Sequence, residues 1–310
     1  MSDDFRAQMN AARADIERQF EDARAQFDAT QERINARTGR NLLGAILIGL
    51  VGGGILLVSL LVFKELFVLF GLLVIGFASF ELSTALRAGA YRVPRWVAAI
   101  SAAAVLPLTW FAGVSGLLWG VLGAIALTVL VRLLEQLGSQ RTNGPQLWRD
   151  VSASVFVHGY VTALGACAVL LTAQPNGQWW TLSFIILAIL SDTGAYAAGL
   201  MWGKHKMAPV ISPKKTWEGF AGGGFAAALG GVLLGWLLLG IGPVDGLVLG
   251  LLIFLTATLG DLAESLIKRD LGIKDMSSWL PGHGGFLDRL DSILPSAAVA
   301  YACYVLMLAH

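Results

Sequence analysis

The sequence predicts an all-α, polytopic membrane protein with about nine transmembrane helices, from its composition, its recurring apolar segments and the placement of its basic residues. Of the 310 residues, 56% are hydrophobic and 14% are charged, and the mean hydropathy is +0.68. This is too apolar for an ordinary soluble domain. A helix needs about 20 mostly apolar residues to cross a hydrocarbon core of roughly 30 Å. Nine windows of that kind follow one another: 42–62, 65–83, 96–112, 115–134, 151–172, 180–202, 219–239, 246–267 and 290–309.

Nine spans also sort the basic residues to one side of the membrane. With the N-terminus in the cytoplasm, 21 of the 22 Lys and Arg residues fall in segments on the cytoplasmic side. Lys64 is the exception. Because cytoplasmic segments of membrane proteins are enriched in Lys and Arg, we expect an integral protein of the cell membrane whose N-terminus and basic loops face the cytoplasm.

The chain divides into three predicted regions. Residues 1–40 alternate Arg with Asp and Glu and lack the apolar core of a secretory signal. Their apolar residues, from Phe5 to Phe27, recur at spacings of three and four, which predicts a cytoplasmic amphipathic helix. Residues 41–180 would hold the N-terminal transmembrane helices, and residues 181–310 a transmembrane catalytic region.

Ionisable side chains inside apolar windows point to a polar cavity that opens toward the cytoplasm. Such groups are costly in a membrane and usually face a cavity or a partner. Three carboxylates stand out in this respect: Asp192, Asp261 and Glu264. Asp261, Glu264 and Lys268 share one helical face, since they are spaced at three and four residues. An ion pair between Glu264 and Lys268, or pairing of Asp192 with a buried base, is the structural alternative.

The segment from Ser265 to Asp291 concentrates groups that bind phosphate and metal. Asp288 and Asp291 lie three residues apart, as on one helical face. The Gly284-Gly285 step lets backbone N–H groups approach an anion. His283 is a further candidate donor to phosphate. Cationic donors come from Lys268, Arg269, Lys274 and Arg289. Phosphate with a divalent cation is therefore the expected ligand.

The order of these residues resembles the signature of the phosphatidate cytidylyltransferase family. The matching positions are Ser265, Lys268, Arg269, Lys274, Asp275, Pro281, His283, Gly284, Gly285, Asp288, Arg289 and Asp291. The stretch SDTGAYAAG, from Ser191 to Gly199, and a later block resemble the second characteristic region of the family. That block matches at Ser212, Pro213, Lys214, Lys215, Thr216, Glu218 and Gly219. The resemblance is specific from Asp192 to Asp291 and general elsewhere.

The resemblance implies that the chain converts CTP and phosphatidic acid to CDP-diacylglycerol and pyrophosphate in phospholipid biosynthesis. The lipid phosphate is then the nucleophile. A phosphomonoester has a second pKa of about 6, so it is mostly dianionic at neutral pH and needs no strong general base. The enzyme must supply alignment and charge neutralisation for an in-line displacement.

The residues allow roles to be assigned within this reaction. Carboxylates without cysteine or clustered histidine suit Mg²⁺, and we expect Asp261 and Asp288 to hold it, with Asp291 as support or an additional ligand. Asp192 and Ser212 would line the substrate site. Phosphate groups would be bound by Lys214, Lys215, Lys268 and Arg269, the leaving pyrophosphate by Lys274 and Arg289, and the triphosphate by His283 and the amides of Gly284 and Gly285.

Other functions remain open at this point. Carboxylates within the membrane near glycines also occur in ion-coupled transporters. A cytidylyltransferase for another lipid phosphate and a CTP-dependent lipid kinase share the same ligand chemistry. The expected partners are CTP, phosphatidic acid and the lipid bilayer, with no nucleic acid. Glycine-rich helices leave a homodimer open.

Overall fold

The structure is a computed structural model that describes residues 42–138, 141–277, 279 and 284–308. The predicted N-terminal helix and His283 lie outside the described residues. The chain forms two compact units. One comprises Gly53–Trp279 and Gly284–His310, and holds every site discussed below. The other comprises Met1–Gly52 and Leu280–His283, and its described part is the beginning of the first helix.

The described chain is almost entirely helical. Its α-helices are α1 Leu42–Leu61, α2 Leu66–Ala88, α3 Arg95–Leu137, α4 Gly144–Val157, α5 Leu164–Ala173, α6 Gly177–Trp202, α7 Trp217–Leu234, α8 Pro243–Asp270 and α9 Ile293–Leu308. Short π-helical stretches at His158–Ala163 and Gly235–Leu239 connect α4 to α5 and extend α7. Between α6 and α7, strand β1 (Lys206–Ala208) pairs antiparallel with β2 (Ser212–Thr216). This ribbon lies between the apolar windows 180–202 and 219–239, where no strand was predicted.

The helices confirm the predicted fold class of an all-α, polytopic membrane protein. Among the described residues, six helical segments are long and apolar enough to cross a membrane: Leu66–Ala88, Arg95–Leu137, Gly144–Ala173, Gly177–Trp202, Trp217–Leu239 and Pro243–Asp270. Gly49–Leu61, the part of α1 whose side chains are described, and α9 are shorter apolar segments. Each predicted window contains helix, but the number of nine crossings stays a prediction.

Helix α3 covers two of the predicted windows because it folds back on itself. Gly113 has φ 58° and ψ −138°, outside the helical region. A Cβ atom added to Gly116 would overlap the Leu108 carbonyl, and one added to Gly120 would lie 3.2 Å from Val105. In a straight helix, Gly116 and Leu108 would be about 12 Å apart. The two halves of α3 therefore pack antiparallel around Gly113.

Glycine contacts hold α6, α7 and α8 close together. A Cβ on Gly194 of α6 would lie 2.8 Å from the carbonyl oxygen of Gly222 in α7. A Cβ on Gly231 of α7 would overlap Gly246 of α8. Small residues allow helices in a membrane to approach closely. This packing brings the polar residues of α6 and α8 to the β ribbon that precedes α7.

A buried ion pair joins α3 to α4. Arg132 and Asp150 are both 0% exposed, and Arg132 Nη2 lies 2.8 Å from Asp150 Oδ2. The other carboxylate oxygen, Oδ1, accepts hydrogen bonds from the backbone N–H of Arg92 and from the side-chain amide of Gln146. The Asp150 carboxylate is thus fully enclosed by donors, and the pair fixes the arrangement of three chain segments.

We expect Arg132→Met to destabilise the protein by about 3–5 kcal/mol, because it leaves the Asp150 carboxylate buried without its cation. The thermal midpoint of the purified protein in detergent measures the effect. Arg149→Met is the matched control, since Arg149 is exposed and contacts the Tyr91 ring at 4.7 Å. Arg149→Met should lower the free energy of unfolding by about 1 kcal/mol or less. Equal midpoints for the two variants would contradict a structural role for the pair.

Candidate active site

A cavity of about 550 Å³ lies between α6, the β ribbon, the beginning of α7 and α8. Its lining includes five residues that the sequence analysis assigned to the site: Asp192, Ser212, Lys214, Lys215 and Asp261. Apolar side chains complete the wall, among them Tyr196, Leu200, Met207 and Phe220. The cavity lining therefore combines cationic donors and carboxylates with apolar surface.

The ribbon and a helix cap set the position of the two lysines. Thr216 ends β2 and caps α7, with its Oγ1 accepting a hydrogen bond from the Gly219 N–H at 3.1 Å. A hydroxyl at this position stabilises the first turn of a helix. At the base of the ribbon, His205 Nδ1 lies 2.6 Å from Glu218 Oε1. These contacts fix the chain that directly follows Lys215.

Lys215 and Asp261 form an ion pair at the cavity wall. The Lys215 ammonium lies 2.8 Å from Asp261 Oδ2, and both side chains are partly exposed. The Ser265 hydroxyl donates to Asp261 Oδ1 at 3.3 Å. The pair joins the ribbon to α8 one helical turn before Ser265, where the matching block Ser265–Asp291 begins. An anionic ligand can bind at Lys215 and a cation at Asp261 within the same cavity.

A second cluster forms around Lys268. Its ammonium lies 2.9 Å from Asp288 Oδ1 and 3.2 Å from Glu264 Oε1. The Glu264–Lys268 ion pair that the sequence analysis gave as the structural alternative is therefore present. Asp288 Oδ2 accepts hydrogen bonds from the backbone N–H groups of Met276 and Gly285 at 3.0 and 2.8 Å. Asp288 thus holds together the end of α8 and both sides of the following loop.

The protonation of Asp288 reflects these contacts. Burial alone would raise the pKa of Asp288, but the hydrogen bonds that its carboxylate accepts from Lys268 and from the Gly285 N–H hold its pKa below the usual value. The carboxylate is accordingly ionised at neutral pH. A carboxylate offers about four lone-pair sites, and three are taken by Lys268, Met276 and Gly285.

Negative charge also accumulates around Asp291. Burial, and then the charges of Asp261 and Asp192, raise the pKa of Asp291 to about 6. A Cβ on Gly260 would overlap the Asp291 carbonyl oxygen, so the chain at Asp291 packs directly on α8, one residue before Asp261. Carboxylates from α6, α8 and the turn before α9 therefore lie within electrostatic reach of one another.

The donor set suits a hard divalent cation that also binds the substrate. In the part of the chain that the structure describes, no group of three His, Cys, Asp or Glu side chains is arranged to hold a metal ion. Mg²⁺ commonly takes one or two carboxylates and completes its coordination with waters and substrate phosphates. The concentration of carboxylate oxygens, without sulfur ligands, fits that mode of binding.

Comparison with known proteins establishes the family. A family model described as the cytidylyltransferase family matches residues 44–307. The chain belongs to this family. A phosphatidate cytidylyltransferase from Mycobacterium bovis is 39% identical over 279 residues, covering 88% of this chain and 91% of that protein. One from Mycobacterium leprae is 38% identical over 87% of this chain and 90% of that protein. One from Brucella suis is 33% identical over 63% of this chain and 86% of that protein. The resemblance deduced from the motifs is confirmed.

Some of the residues predicted for this cytidylyltransferase site do not line the cavity. Arg269 is exposed, and its Nε donates to the Ile211 carbonyl at 3.3 Å, on the turn of the ribbon. Lys274 and Arg289 are exposed and lie outside the cavity lining. The Gly285 amide donates to Asp288. Roles of these residues in phosphate binding stay predictions, as does that of His283, which lies outside the described residues.

One carboxylate that was not among the predicted site residues contacts the loop between α8 and α9. Glu81 of α2 is 1% exposed. Its Oε1 accepts a hydrogen bond from the Ser277 hydroxyl at 2.5 Å, and its Oε2 accepts one from the Leu287 N–H at 2.9 Å. The sequence contains a signal for Glu81, because this residue is an acid inside the predicted apolar window 65–83. The rule that selected Asp192, an ionisable group within an apolar window, also selects Glu81.

Proposed function

We propose that the chain is a Mg²⁺-dependent phosphatidate cytidylyltransferase that converts CTP and phosphatidic acid to CDP-diacylglycerol and pyrophosphate. Family membership and the names of the similar proteins support the reaction. The observation that carries the proposal is the cavity in which Lys214 and Lys215 meet Asp192 and Asp261 among membrane helices. Those groups match a reaction between two phosphates assisted by a divalent cation.

The reaction forms one P–O bond and breaks another. An oxygen of the lipid phosphate attacks the α-phosphorus of CTP, and the bond from that phosphorus to the bridging oxygen of the β-phosphate breaks, releasing pyrophosphate. The lipid phosphate is mostly dianionic at neutral pH, so no side chain has to remove a proton from it. The protein must bring two anions together and orient them for in-line displacement.

Lys214 and Lys215 supply the cationic donors that counter the repulsion between the two substrates. Lys215 is already oriented by Asp261, and β2 holds Lys214 beside it. Asp261, with Asp192 and Asp291 nearby, would hold Mg²⁺. A bound Mg²⁺ supplies neutralisation of the phosphate oxygens. Asp288 was predicted as the second metal ligand. Since three donors already contact its carboxylate, coordination there would use its remaining lone pair or displace a donor.

The cavity wall also suits a lipid substrate. Tyr196 and Leu200 lie on the same helix as Asp192 and are 72% and 73% exposed. An acyl chain can pack against such side chains while the phosphate reaches the lysines. We place the cavity on the cytoplasmic side of the cell membrane, where CTP is available. The segregation of 21 of the 22 basic residues supports this orientation.

Incorporation of radiolabelled CTP into a lipid fraction tests the proposal. Purified protein in mixed micelles with phosphatidic acid should yield labelled lipid and pyrophosphate with Mg²⁺, and neither product with excess EDTA. Release of CDP in place of pyrophosphate would identify a lipid kinase. Substrate flux into vesicles without nucleotide turnover would identify a transporter, and product formed only with another lipid phosphate would identify a different acceptor.

A further inference from the structure

We propose that Glu81 is a positioning residue that clamps the loop carrying Asp288 in the conformation needed for turnover. This loop connects α8 to α9, and its described residues, 271–277, 279 and 284–292, are called the Asp288 loop below. The inference rests on the proposed function, because the loop matters for catalysis only if its residues serve the cytidylyltransferase site. It assigns a role to a carboxylate of α2 that is far from the signature in sequence.

The Glu81 carboxylate holds the Asp288 loop at two points. One oxygen accepts from Ser277 and the other from the Leu287 N–H, at sequence separations of 196 and 206 residues. Leu287 is 0% exposed, so its N–H has no access to water. A buried donor without a partner is unfavourable, because the loss of its hydrogen bonds to water is not compensated. Loss of the carboxylate therefore favours movement of the segment next to Asp288.

Gly285 allows the loop to lie directly on this carboxylate. A Cβ on Gly285 would be 2.7 Å from Glu81 Oε2 and 3.0 Å from Oε1. The same residue donates its N–H to Asp288 Oδ2 at 2.8 Å. Asp288 in turn contacts Lys268 at 2.9 Å. A continuous series of contacts thus runs from Glu81 through Gly285 and Asp288 to Lys268 of α8.

Aromatic contacts of Phe77 and Phe80, which precede Glu81 in α2, support the clamp. Trp279 stacks on Phe80 with ring centroids 5.4 Å apart, and it meets the Phe77 ring edge-on at 5.5 Å. The Phe77 ring also stacks with the Phe286 ring, with centroids 5.1 Å apart. These rings hold the loop against α2 by non-directional packing. The hydrogen bonds of Glu81 are directional, so they fix which residues of the loop lie against α2.

Turnover of two Glu81 variants tests the role. Glu81→Ala should lower kcat by 10- to 100-fold, the usual effect of removing a group that orients a catalytic side chain. Glu81→Gln should stay within about fivefold of the parent, because its carbonyl can accept from Leu287 and its amide can donate to Ser277. Glu65→Ala, an exposed acid at the start of α2, is the matched control and should leave turnover unchanged.

Hydrogen exchange distinguishes a clamp from general loss of structure. In Glu81→Ala, the amides of Gly285 and Leu287 should exchange at least tenfold faster, while those of α6, α7 and α8 keep the parent rates. Ser277→Ala removes the partner of one carboxylate oxygen only and should give a smaller increase. Faster exchange throughout the helices would show a general structural role and would overturn the proposal.

A double-mutant cycle tests the contact itself. Gly285→Ala should impair turnover strongly in the parent, because its Cβ would meet the Glu81 carboxylate. In the Glu81→Ala background the same change should cost less, because the space is open. If the effects of Gly285→Ala and Glu81→Ala on turnover are strictly additive, the clamp is overturned. It is also overturned if the Leu287 amide of Glu81→Ala exchanges at the parent rate.

The proposed function fails separately. If the parent protein never consumes CTP with any lipid phosphate, the proposed function is refuted, whereas the exchange measurements still report on the contact between Glu81 and the loop.

Discussion

Asp261→Asn is expected to lower kcat by at least about 10³-fold, equivalent to roughly 4 kcal/mol of transition-state stabilisation. The substitution keeps the size of the side chain and removes its charge. Lys215, 2.8 Å from Asp261 Oδ2, loses its ionic partner, and the cavity loses the carboxylate that we propose to hold Mg²⁺. Pyrophosphate release from CTP measures the effect, and the Mg²⁺ concentration for half-maximal rate should rise as well.

A second acid on the same helix provides the control. Asp245 is exposed in the first turn of α8, about 24 Å along the helix axis from Asp261. Asp245→Asn removes the same charge from the same helix and should leave kcat within about twofold of the parent. If Asp261→Asn turned over as Asp245→Asn does, the assignment of the cavity as the active site would be wrong.

Asp288→Ala is expected to reduce pyrophosphate release by about 10²- to 10³-fold while the protein still inserts into the membrane. The change leaves the N–H groups of Met276 and Gly285 without their acceptor, and Lys268 with Glu264 alone. The initial rate of CTP-dependent pyrophosphate release by membrane-extracted protein, normalised to the amount inserted, measures the effect.

The Mg²⁺ dependence of the Asp288 variant separates two roles for this residue. If Asp288 mainly positions the loop, raising the Mg²⁺ concentration should leave the rate of Asp288→Ala low. Recovery of the rate at high Mg²⁺ would instead show that Asp288 is a metal ligand. Asp270→Ala is the control, since Asp270 is an exposed acid at the end of α8, and its rate should equal that of the parent.

Local rules predicted much of the site because its residues are close in sequence or lie in apolar segments. Glu264 and Lys268 are four residues apart on a helix, so their ion pair followed from helical spacing. Asp192 and Asp261 were selected because a carboxylate within an apolar window needs a cavity or a partner, and both line the same cavity. The family could be deduced from the spacing of short motifs.

Local rules could not predict contacts between segments that are distant in sequence. Lys215 pairs with Asp261 because the glycine faces of α6, α7 and α8 bring the ribbon to α8, and no local spacing encodes that distance. Glu81 meets Leu287 across 206 residues. Asp288, predicted as a metal ligand from its charge and motif, proved to accept hydrogen bonds from the loop that it belongs to.

The sequence by itself determined the membrane fold class, the family and several of the carboxylates and lysines that line the cavity, since apolar length, charge placement and motif spacing are local properties. The tertiary structure alone decided which carboxylate pairs with which cation, that α3 reverses at Gly113, and that Glu81 contacts the Asp288 loop. The physical reason is that ion pairs and buried hydrogen bonds depend on distances of about 3 Å. Such distances are set by the packing of helices that are remote in sequence.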